Sequence, residues 1–325
     1  MSYLDNRTQK CYINGTLSKN HKLSCGVPQG TILGPLLFLL YINDLPNCLS
    51  YCQPRMYADD THLTYAGKNA DDIQSSMNKD LANINNWLIA NKLTLNMTKT
   101  EFMLIGSRQK LSTLPTQPHL QINGTPIDQV SIAKSLGVLI DNHLSWNAHI
   151  DKLTKKIASG IGAIKRVRYI VPQPIMHKIF QALVQPYFNY CNVVWANCGP
   201  TLQDKLQKLQ NRAARVMTFS NYNKSASELI ETLGWKNLAC QQQMALVTMV
   251  FKCLHGLAPE YLCQKFTERQ SVYLLRDSAN KLNIPLPRTN YYKNSFSYSG
   301  SVAWNNLSSE ARQAESLSKF KSLIS

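Results

Sequence analysis

The chain has 325 residues, of which 44% are hydrophobic and 17% charged, and its 35 lysines and arginines exceed its 19 acidic residues by +16. This apolar content can build a folded core and excludes a wholly disordered chain. The longest apolar run, Ile32–Ile42, is too short to cross a membrane. The positive charge favours a polyanionic partner, either nucleic acid or an anionic membrane surface, although charge with a purely structural use would give the same total.

The cysteines and the N-terminal residues bear on the cellular compartment. The nine cysteines are scattered, with no CxxC pair and no nearby histidine set to complete a zinc site. The first twenty residues are polar and lack the apolar segment of a secretion signal. These features predict a reduced intracellular protein, nuclear or cytoplasmic, that is neither secreted nor embedded in a membrane.

Residues 1–142 are predicted to form a mixed α+β region. Short alternating stretches indicate strands, and Asn14-Gly15 and Asn123-Gly124 are dipeptides typical of hairpin turns. The predicted strands are Lys10–Ile13, Arg55–Tyr57, His62–Tyr65, Glu101–Ile105, His119–Ile122 and Ser135–Ile140. Helices are predicted from about Ile32 to Asn43 and after Asn69, on the spacing of their apolar residues.

The glycine-containing turn Gly26-Val27-Pro28-Gln29-Gly30 leads into the first of these helices. Glycine permits close approach of another backbone, and a helix N-terminus attracts phosphate. An ordinary loop that leads into a buried helix has the same pattern, so the turn alone does not identify a site.

Two adjacent carboxylates lie in the segment Tyr57-Ala58-Asp59-Asp60, between two predicted strands, and both are expected in a hairpin turn. Adjacent carboxylates repel each other, and a tight turn that holds both favours a hard cation bound through oxygen, typically magnesium. Aspartate is also common in turns because it hydrogen-bonds to nearby backbone. A metal site and a structural turn both remain open on this motif.

Residues 143–325 are predicted to be helical. Amphipathic helices begin near Trp146 and Leu202, and Leu238–Leu254 is predicted to be a buried helix. Residues 141–220 contain 11 lysines and arginines against three acidic residues. The basic side chains of the two amphipathic helices are Lys152, Lys155, Lys156, Arg166, Lys205, Lys208, Arg212 and Arg215. They predict either a surface for a nucleic-acid backbone or an ordinary solvated helix face.

The glycine turn and the aspartate pair together are far more specific than either motif alone. In this combination the chain resembles the reverse transcriptase domain of non-LTR (LINE-type, jockey-like) retrotransposons. The matching segments are Ser2–Arg7, Gly26–Gly30, Pro35–Phe38, Tyr41–Pro46, Tyr57–Asp60, Trp87, Leu93–Asn96, Lys99-Thr100 and Leu136–Val138. Further segments resemble the helical region that these elements carry after the polymerase core; they are Tyr187, Tyr190-Cys191, Val194-Trp195 and Gln210–Arg215.

The resemblance implies an RNA-directed DNA polymerase with an α+β fold. Residues 1–142 would form part of a polymerase palm, an antiparallel sheet with helices, and residues 143–325 an all-helical thumb-like region. Its partners would be an RNA template, a DNA primer and deoxynucleoside triphosphates. In this family a primer 3′-hydroxyl attacks the α-phosphate of the nucleotide at a site with two Mg²⁺ ions.

The family's site residues carry over to positions of this sequence. Asp59 would be the principal metal ligand and Asp60 a supporting one. Tyr57 and Ala58 would lie near the primer end. Gln29 and Gly30 would lie beside the nucleotide and template. Lys99 would lie near the leaving pyrophosphate. A plain surface lysine is an equally good interpretation of Lys99.

One departure from the family limits the expected activity. The family has a further metal-binding aspartate on an earlier strand, and neither Asp5 nor Asp44 lies in a matching motif. The fingers are also without a counterpart. We therefore expect an N-terminally truncated reverse transcriptase with an incomplete Mg²⁺ site and little or no activity alone. The alternatives are a non-catalytic nucleic-acid-binding relic that uses its basic helices, and an unstable fragment of an element.

Overall fold

The structure, a computed structural model, describes residues 3–24, 26–28, 30–269 and 280–324. These residues divide into two compact units, Met1–Val130 and Ser131–Ser325. The first unit combines short strands with helices, and the second is mainly helical with one hairpin. The mixed α+β class is therefore confirmed. The identification of the units with a palm and a thumb remains a prediction.

The strands of the first unit pair two by two among the described residues. They are β1 (Thr8–Gln9), β2 (Tyr12–Ile13), β3 (Thr16–Leu17), β4 (His21–Lys22), β5 (Gln53–Tyr57), β6 (Asp60–Thr64), β7 (Glu101–Phe102), β8 (Gln121–Ile122), β9 (Thr125–Pro126) and β10 (Asp128–Gln129). The pairs β1–β4, β2–β3, β5–β6 and β8–β9 are antiparallel, whereas β7 and β10 are parallel. The predicted turns at Asn14-Gly15 and Asn123-Gly124 are confirmed, because all four residues have the positive φ that two-residue hairpin turns require.

The helices of the first unit are α1 (Leu33–Ile42), α2 (Ala70–Ala90) and α3 (Arg108–Ser112), with 3₁₀ turns at Leu45–Cys48 and Met97–Lys99. Both predicted helices are confirmed. The side chain of Asn69 caps α2 by accepting a hydrogen bond from the Asp72 amide at 2.8 Å. The apolar face of α2 joins a small core whose buried members are Leu81, Leu120, Ile122 and Ile127.

Helix α1 buries little of its apolar surface within the first unit. Ile42 is its one buried residue, whereas Leu36 and Leu40 are 54% and 67% exposed. Helices rich in leucine are normally covered by a partner, so this helix presents an open apolar surface.

The second unit begins with the hairpin of β11 (Ile132–Ser135) and β12 (Val138–Asp141). The prediction of a single strand over Ser135–Ile140 is wrong, because Leu136 and Gly137 have φ values of 45° and 87° and turn the chain between two strands. The hairpin belongs to this unit because Val138 is buried in the same core as the helix that follows. The units therefore divide ahead of the predicted boundary at residue 142.

Helices make up the rest of the second unit. They are α4 (Asn147–Val167), α5 (Gln173–Leu183), α6 (Gln185–Asn189), α7 (Asn192–Trp195), α8 (Pro200–Met217), α9 (Ala226–Thr232), α10 (Leu238–Leu254), α11 (Glu260–Cys263), α12 (Asn290–Lys293), α13 (Phe296–Asn305), α14 (Ser309–Arg312) and α15 (Leu317–Leu323). The apolar stripes of α4 and α8 meet in one core, in which Ile157, Ile161 and Leu206 are fully buried. A second core forms around Phe251 of α10, together with Trp304 and Phe320. In the described parts of the chain, no helix combines the length and the apolar character needed to cross a membrane.

Candidate active-site hairpin and basic helices

The aspartate pair lies at the tip of the β5–β6 hairpin. Tyr57 pairs with Asp60, so Ala58 and Asp59 are the two turn residues and Asp60 is the first residue of β6. The expectation that both aspartates occupy the turn is thus correct for Asp59 alone. All four side chains are exposed. The hairpin therefore presents two neighbouring carboxylates and a tyrosine ring to solvent.

The turn holds Ala58 in a left-handed conformation, with φ of 51°. An L-residue with a Cβ pays roughly 1–2 kcal/mol for this backbone geometry. Strain of this kind is concentrated at functional sites, where the fold holds a backbone that the local sequence does not favour. The tightness of this turn is consistent with a site whose carboxylate positions are fixed.

A buried carboxylate on α2 holds the segment that leads into this hairpin. Asp80 is fully buried and accepts hydrogen bonds from the amides of Ser50, Tyr51 and Cys52 at 2.9, 2.9 and 2.7 Å. These residues immediately precede β5. On β6, Leu63 packs against the α2 core. The hairpin is thereby tied to α2 through both of its strands.

The surroundings of Asp80 also set the protonation of two groups. Burial raises the pKa of Asp80, but the three amide hydrogen bonds outweigh burial and leave the pKa below the usual value for an aspartate. The carboxylate is therefore ionised at neutral pH. Burial, followed by the nearby Asp80 carboxylate, raises the pKa of the Cys52 thiol to about 12. Cys52 consequently stays a protonated, unreactive core residue.

The donor atoms at the hairpin tip match a hard divalent cation. Asp59 and Asp60 supply carboxylate oxygens, the ligands that Mg²⁺ prefers. Across residues 3–24, 26–28, 30–269 and 280–324, no group of three or more His, Cys, Asp or Glu side chains is clustered as a metal site. The two aspartates thus fit part of a metal site, and further ligands would have to come from substrate, water or other residues.

Of the two residues of the glycine turn predicted to contact nucleotide and template, Gly30 is among the described residues. Gly30 is exposed and has φ of 83°, a conformation that a residue with a Cβ rarely adopts. The Thr31 hydroxyl donates to the Pro28 carbonyl at 3.0 Å and closes the turn before α1. Gln29 lies outside the described residues, so its predicted role stays a prediction.

Lys99 ends the 3₁₀ turn between α2 and β7 and is exposed. Among the described residues, no ion pair or hydrogen bond joins its ammonium group to Asp59 or Asp60. Its assignment to the leaving pyrophosphate stays a prediction, and a plain surface lysine is still an equally good interpretation.

The eight predicted basic residues all lie on α4 and α8, two helices that pack against each other. Six of them are exposed, and Lys152 and Arg215 are half-buried. The Lys205 ammonium lies 3.5 Å from the Asp151 carboxylate, and Lys208 lies 2.6 Å from Asp204. These pairs neutralise part of the positive charge. The exposed cations outside these pairs, Lys155, Lys156, Arg166 and Arg212, leave a basic surface on this unit.

Two features of the structure have signals in the sequence that lie outside the motifs described above. Asp80 falls on the apolar stripe of α2, between Met77 and Leu81, and a charged residue on a buried stripe indicates a specific partner. Arg168 and Phe219 follow the last turns of α4 and α8, where exposed aromatic residues stand beside arginines. Neither position belongs to the motifs that carried the family resemblance.

Comparison with known proteins gives a consistent result. Residues 1–140 match the family described as reverse transcriptase (RNA-dependent DNA polymerase). The chain is 24% identical over 224 residues to a probable RNA-directed DNA polymerase from transposon X-element of Drosophila melanogaster, covering 67% of the chain and 24% of the relative. It is 27% identical over 235 residues to the corresponding protein from transposon BS of the same fly, covering 68% of the chain and 25% of the relative.

A third relative is matched over most of its length. The chain is 23% identical over 243 residues to a retrovirus-related Pol polyprotein from type-1 retrotransposable element R1 of Nasonia vitripennis, covering 72% of the chain and 70% of that protein. By contrast, the chain spans about a quarter of the length of the two fly proteins. These matches continue beyond residue 140, since each covers at least 67% of the chain.

Proposed function

We propose that this chain supplies the active-site hairpin and a nucleic-acid-binding helical region of a non-LTR retrotransposon polymerase, since residues 1–140 match the reverse transcriptase (RNA-dependent DNA polymerase) family. The observation that carries the proposal is the position of Asp59 and Asp60. They lie at the exposed tip of a strained hairpin anchored on α2, inside the segment that matches the family. In this assignment the first unit is palm-like and the second thumb-like.

The residues of the hairpin have distinct roles in this proposal. Asp59 and Asp60 would hold Mg²⁺ through their carboxylates, and the bound ion would neutralise charge on the phosphates during nucleotidyl transfer. Tyr57 and Ala58 contact the primer end beside them. Asp80 acts at a distance, because its three amide hydrogen bonds fix the backbone from which β5 starts. Lys99 is assigned to the pyrophosphate side, and Gln29 and Gly30 to the nucleotide and template side.

The basic surface of α4 and α8 serves the same function by holding the template–primer. Residues 152–203 contain no acidic residue, so the phosphate backbone meets little repulsion along this part of the unit. Binding of this kind weakens steeply with salt, because each phosphate contact releases a counterion. A second candidate function uses this surface alone: a non-catalytic nucleic-acid-binding protein. The small acidic ligand set at the hairpin favours this alternative for the chain in isolation.

The test is binding of the purified 325-residue chain to a primed RNA template over a salt series, with and without Mg²⁺. Wild type is compared with Asp59→Asn, and Asp71→Asn at an exposed position of α2 serves as the matched charge control. We expect Mg²⁺ to strengthen binding in wild type and in Asp71→Asn but not in Asp59→Asn. Identical binding by all three proteins would remove the metal role and leave the non-catalytic alternative.

A primer-extension assay with the same proteins addresses catalysis. We expect little synthesis by this chain alone, because two carboxylates form only part of a two-metal site. Robust synthesis by wild type that disappears in Asp59→Asn would overturn the expectation of low activity while supporting the assigned ligand.

A further inference from the structure

Exposed aromatic rings follow the C-terminal ends of the two basic helices. Tyr169 comes two residues after α4 and is 75% exposed, and Phe219 comes two residues after α8 and is 46% exposed. Their ring centroids are 5.5 Å apart, so the two helix ends are adjacent. Tyr222, three residues further along the chain, is 85% exposed. Three exposed rings thus follow the ends of the two helices, and exposed apolar groups that lie together mark interaction sites.

Two arginines are held against these rings instead of against carboxylates. The guanidinium carbon of Arg168 lies 4.6 Å from the Tyr169 ring centre and 5.2 Å from that of Phe219, and that of Arg215 lies 4.8 Å from Tyr222. The Nε atoms of both arginines are buried and have no hydrogen-bond acceptor among the described residues. No Asp or Glu occurs in residues 205–227, which follow the acid-free stretch 152–203. The positive charge here is therefore uncompensated by nearby sequence.

The left-handed backbone conformation of Phe219 is independent evidence that its aromatic ring has a function. Thr218 caps α8, and Phe219 follows it with φ of 55°. The Ser220 amide then donates to the Arg215 carbonyl at 3.1 Å, which completes a Schellman ending of the helix. Glycine normally occupies the left-handed position of this motif because a Cβ is strained there. A bulky aromatic residue at this position indicates that its side chain has a use.

We propose that Arg168, Tyr169, Arg215, Phe219 and Tyr222 form a stacking platform for unpaired bases of single-stranded nucleic acid. The proposal rests on the nucleic-acid-binding role given above to α4 and α8. Tyr169, Phe219 and Tyr222 offer ring faces on which bases stack, while the two guanidinium groups attract the phosphates between those bases. The platform lies at the end of the basic surface, so a strand can pass from the lysines of the helices onto the rings.

The chemistry of the platform favours single strands over a duplex. In a duplex each base already stacks on its neighbours and its π-face is inaccessible to a protein ring. Lysines on a helix face bind both forms through phosphate alone, with little preference. Aromatic rings interleaved with arginines add an attraction that unpaired bases alone can use.

The test compares binding of the full chain to a 20-nucleotide single-stranded RNA and to the duplex of the same length. Variants are Tyr169→Ala and Phe219→Gly, with Tyr292→Ala as an exposed tyrosine outside the platform. Phe219→Gly relieves the strain of the left-handed conformation, so we expect the melting temperature of this variant to equal or exceed that of wild type. A loss of binding by this variant would then not reflect misfolding. We expect each platform variant to lose about tenfold in single-strand affinity, as for one stacked base, and to keep its duplex affinity and salt slope.

Each outcome bears on a different proposal. If wild type binds neither RNA in a salt-dependent way, the nucleic-acid role of the basic helices fails and the platform fails with it. If wild type binds both forms and the two platform variants behave like Tyr292→Ala, the platform is refuted while the basic helices stand. If the variants instead lose binding to phosphatidylserine vesicles and keep RNA binding, the surface is a membrane-binding one and the proposal is overturned.

Discussion

The two compact units differ in how they use apolar residues. Among the described residues of the first unit the largest buried cluster has four members, the strands pair only two by two, and α1 leaves its leucines exposed. In the second unit one cluster alone contains 19 buried residues drawn from six helices and a hairpin. The first unit, which carries Asp59 and Asp60, thus has the smaller hydrophobic core. Its β5–β6 hairpin depends on the hydrogen bonds of Asp80 and the packing of Leu63, whereas the second unit is held by packing spread over many residues.

Each unit contains an aspartate whose carboxylate accepts three backbone amide hydrogen bonds, but the sequence separation of the partners differs. Asp80 accepts three amide hydrogen bonds from residues 28–30 positions away, while Asp141 accepts three from His143, Ser145 and Trp146 within five positions. Asp80 therefore fixes a long-range contact, and Asp141 a local turn before α4. Four experiments test this difference between the two units.

The largest effect is expected in the packed core of the second unit. Trp195 is fully buried, and its indole N–H donates to the Tyr190 carbonyl at 2.8 Å. Trp195→Ala should lower the free energy of unfolding by about 3–5 kcal/mol, through lost burial and the cavity left behind. Chemical denaturation followed by circular dichroism measures this loss. Ile170→Ala, at a position that is 85% exposed, is the control and should change stability by less than about 0.5 kcal/mol. A loss of only 1 kcal/mol for Trp195→Ala would contradict a densely packed core.

Removal of the Asp80 anchor should have the next largest effect. Asp80→Ala leaves the amides of Ser50, Tyr51 and Cys52 without their carboxylate acceptor and should cost about 3 kcal/mol. Asp141→Ala should cost less, since its local turn can rearrange or reach water. Ser75→Ala, at an exposed position of α2, controls for changes in the helix itself. The comparison between the units would fail if Asp141→Ala were the more damaging substitution.

Lowering the pH should reveal how much the carboxylates of Asp80 and Asp141 contribute to the free energy of unfolding. Amide hydrogen bonds outweigh burial and hold the pKa of Asp80 and of Asp141 below the ordinary value. The folded state therefore favours the ionised form, and this stabilisation is present above about pH 4 and is lost as the pH falls through the folded pKa. Urea denaturation between pH 6 and pH 3 should show a shallower decline for Asp80→Asn than for wild type. Asp71→Asn should follow the wild-type curve, and an unchanged slope for Asp80→Asn would refute the assignment.

The smallest effect concerns the strained turn. Ala58→Gly removes the Cβ from a residue with φ of 51° and should stabilise the hairpin by up to about 1 kcal/mol. Ala66→Gly, at an exposed position after β6, should instead destabilise the protein slightly, because glycine gains freedom in the unfolded chain. Thermal unfolding of both variants measures the difference. A lower melting temperature for Ala58→Gly would show that the turn is not strained.

The sequence predicted the four longest helices of the described chain because their apolar periodicity is local. Helix α2 with its Asn69 cap, and α4, α8 and α10, all lie where their patterns place them. The short strands were less predictable, since Ser135–Ile140 has the composition of one strand and the turn at Leu136-Gly137 interrupts it. The parallel pairing of β7 with β10 joins residues 27 positions apart, and nothing in either dipeptide indicates its partner.

The amino-acid sequence was enough to predict the mixed α+β class, the resemblance of the aspartate motif to reverse transcriptases and the basic character of two helices, because each depends on residue type and local spacing. The structure was needed to show that Asp59 is in the turn and Asp60 on the strand, that Asp80 anchors the approach to β5, and that the rings following α4 and α8 lie side by side. Pairing register, burial of a single carboxylate and adjacency of helix ends arise from contacts between distant segments. Such contacts are fixed by packing as a whole and leave no periodic signal in the chain.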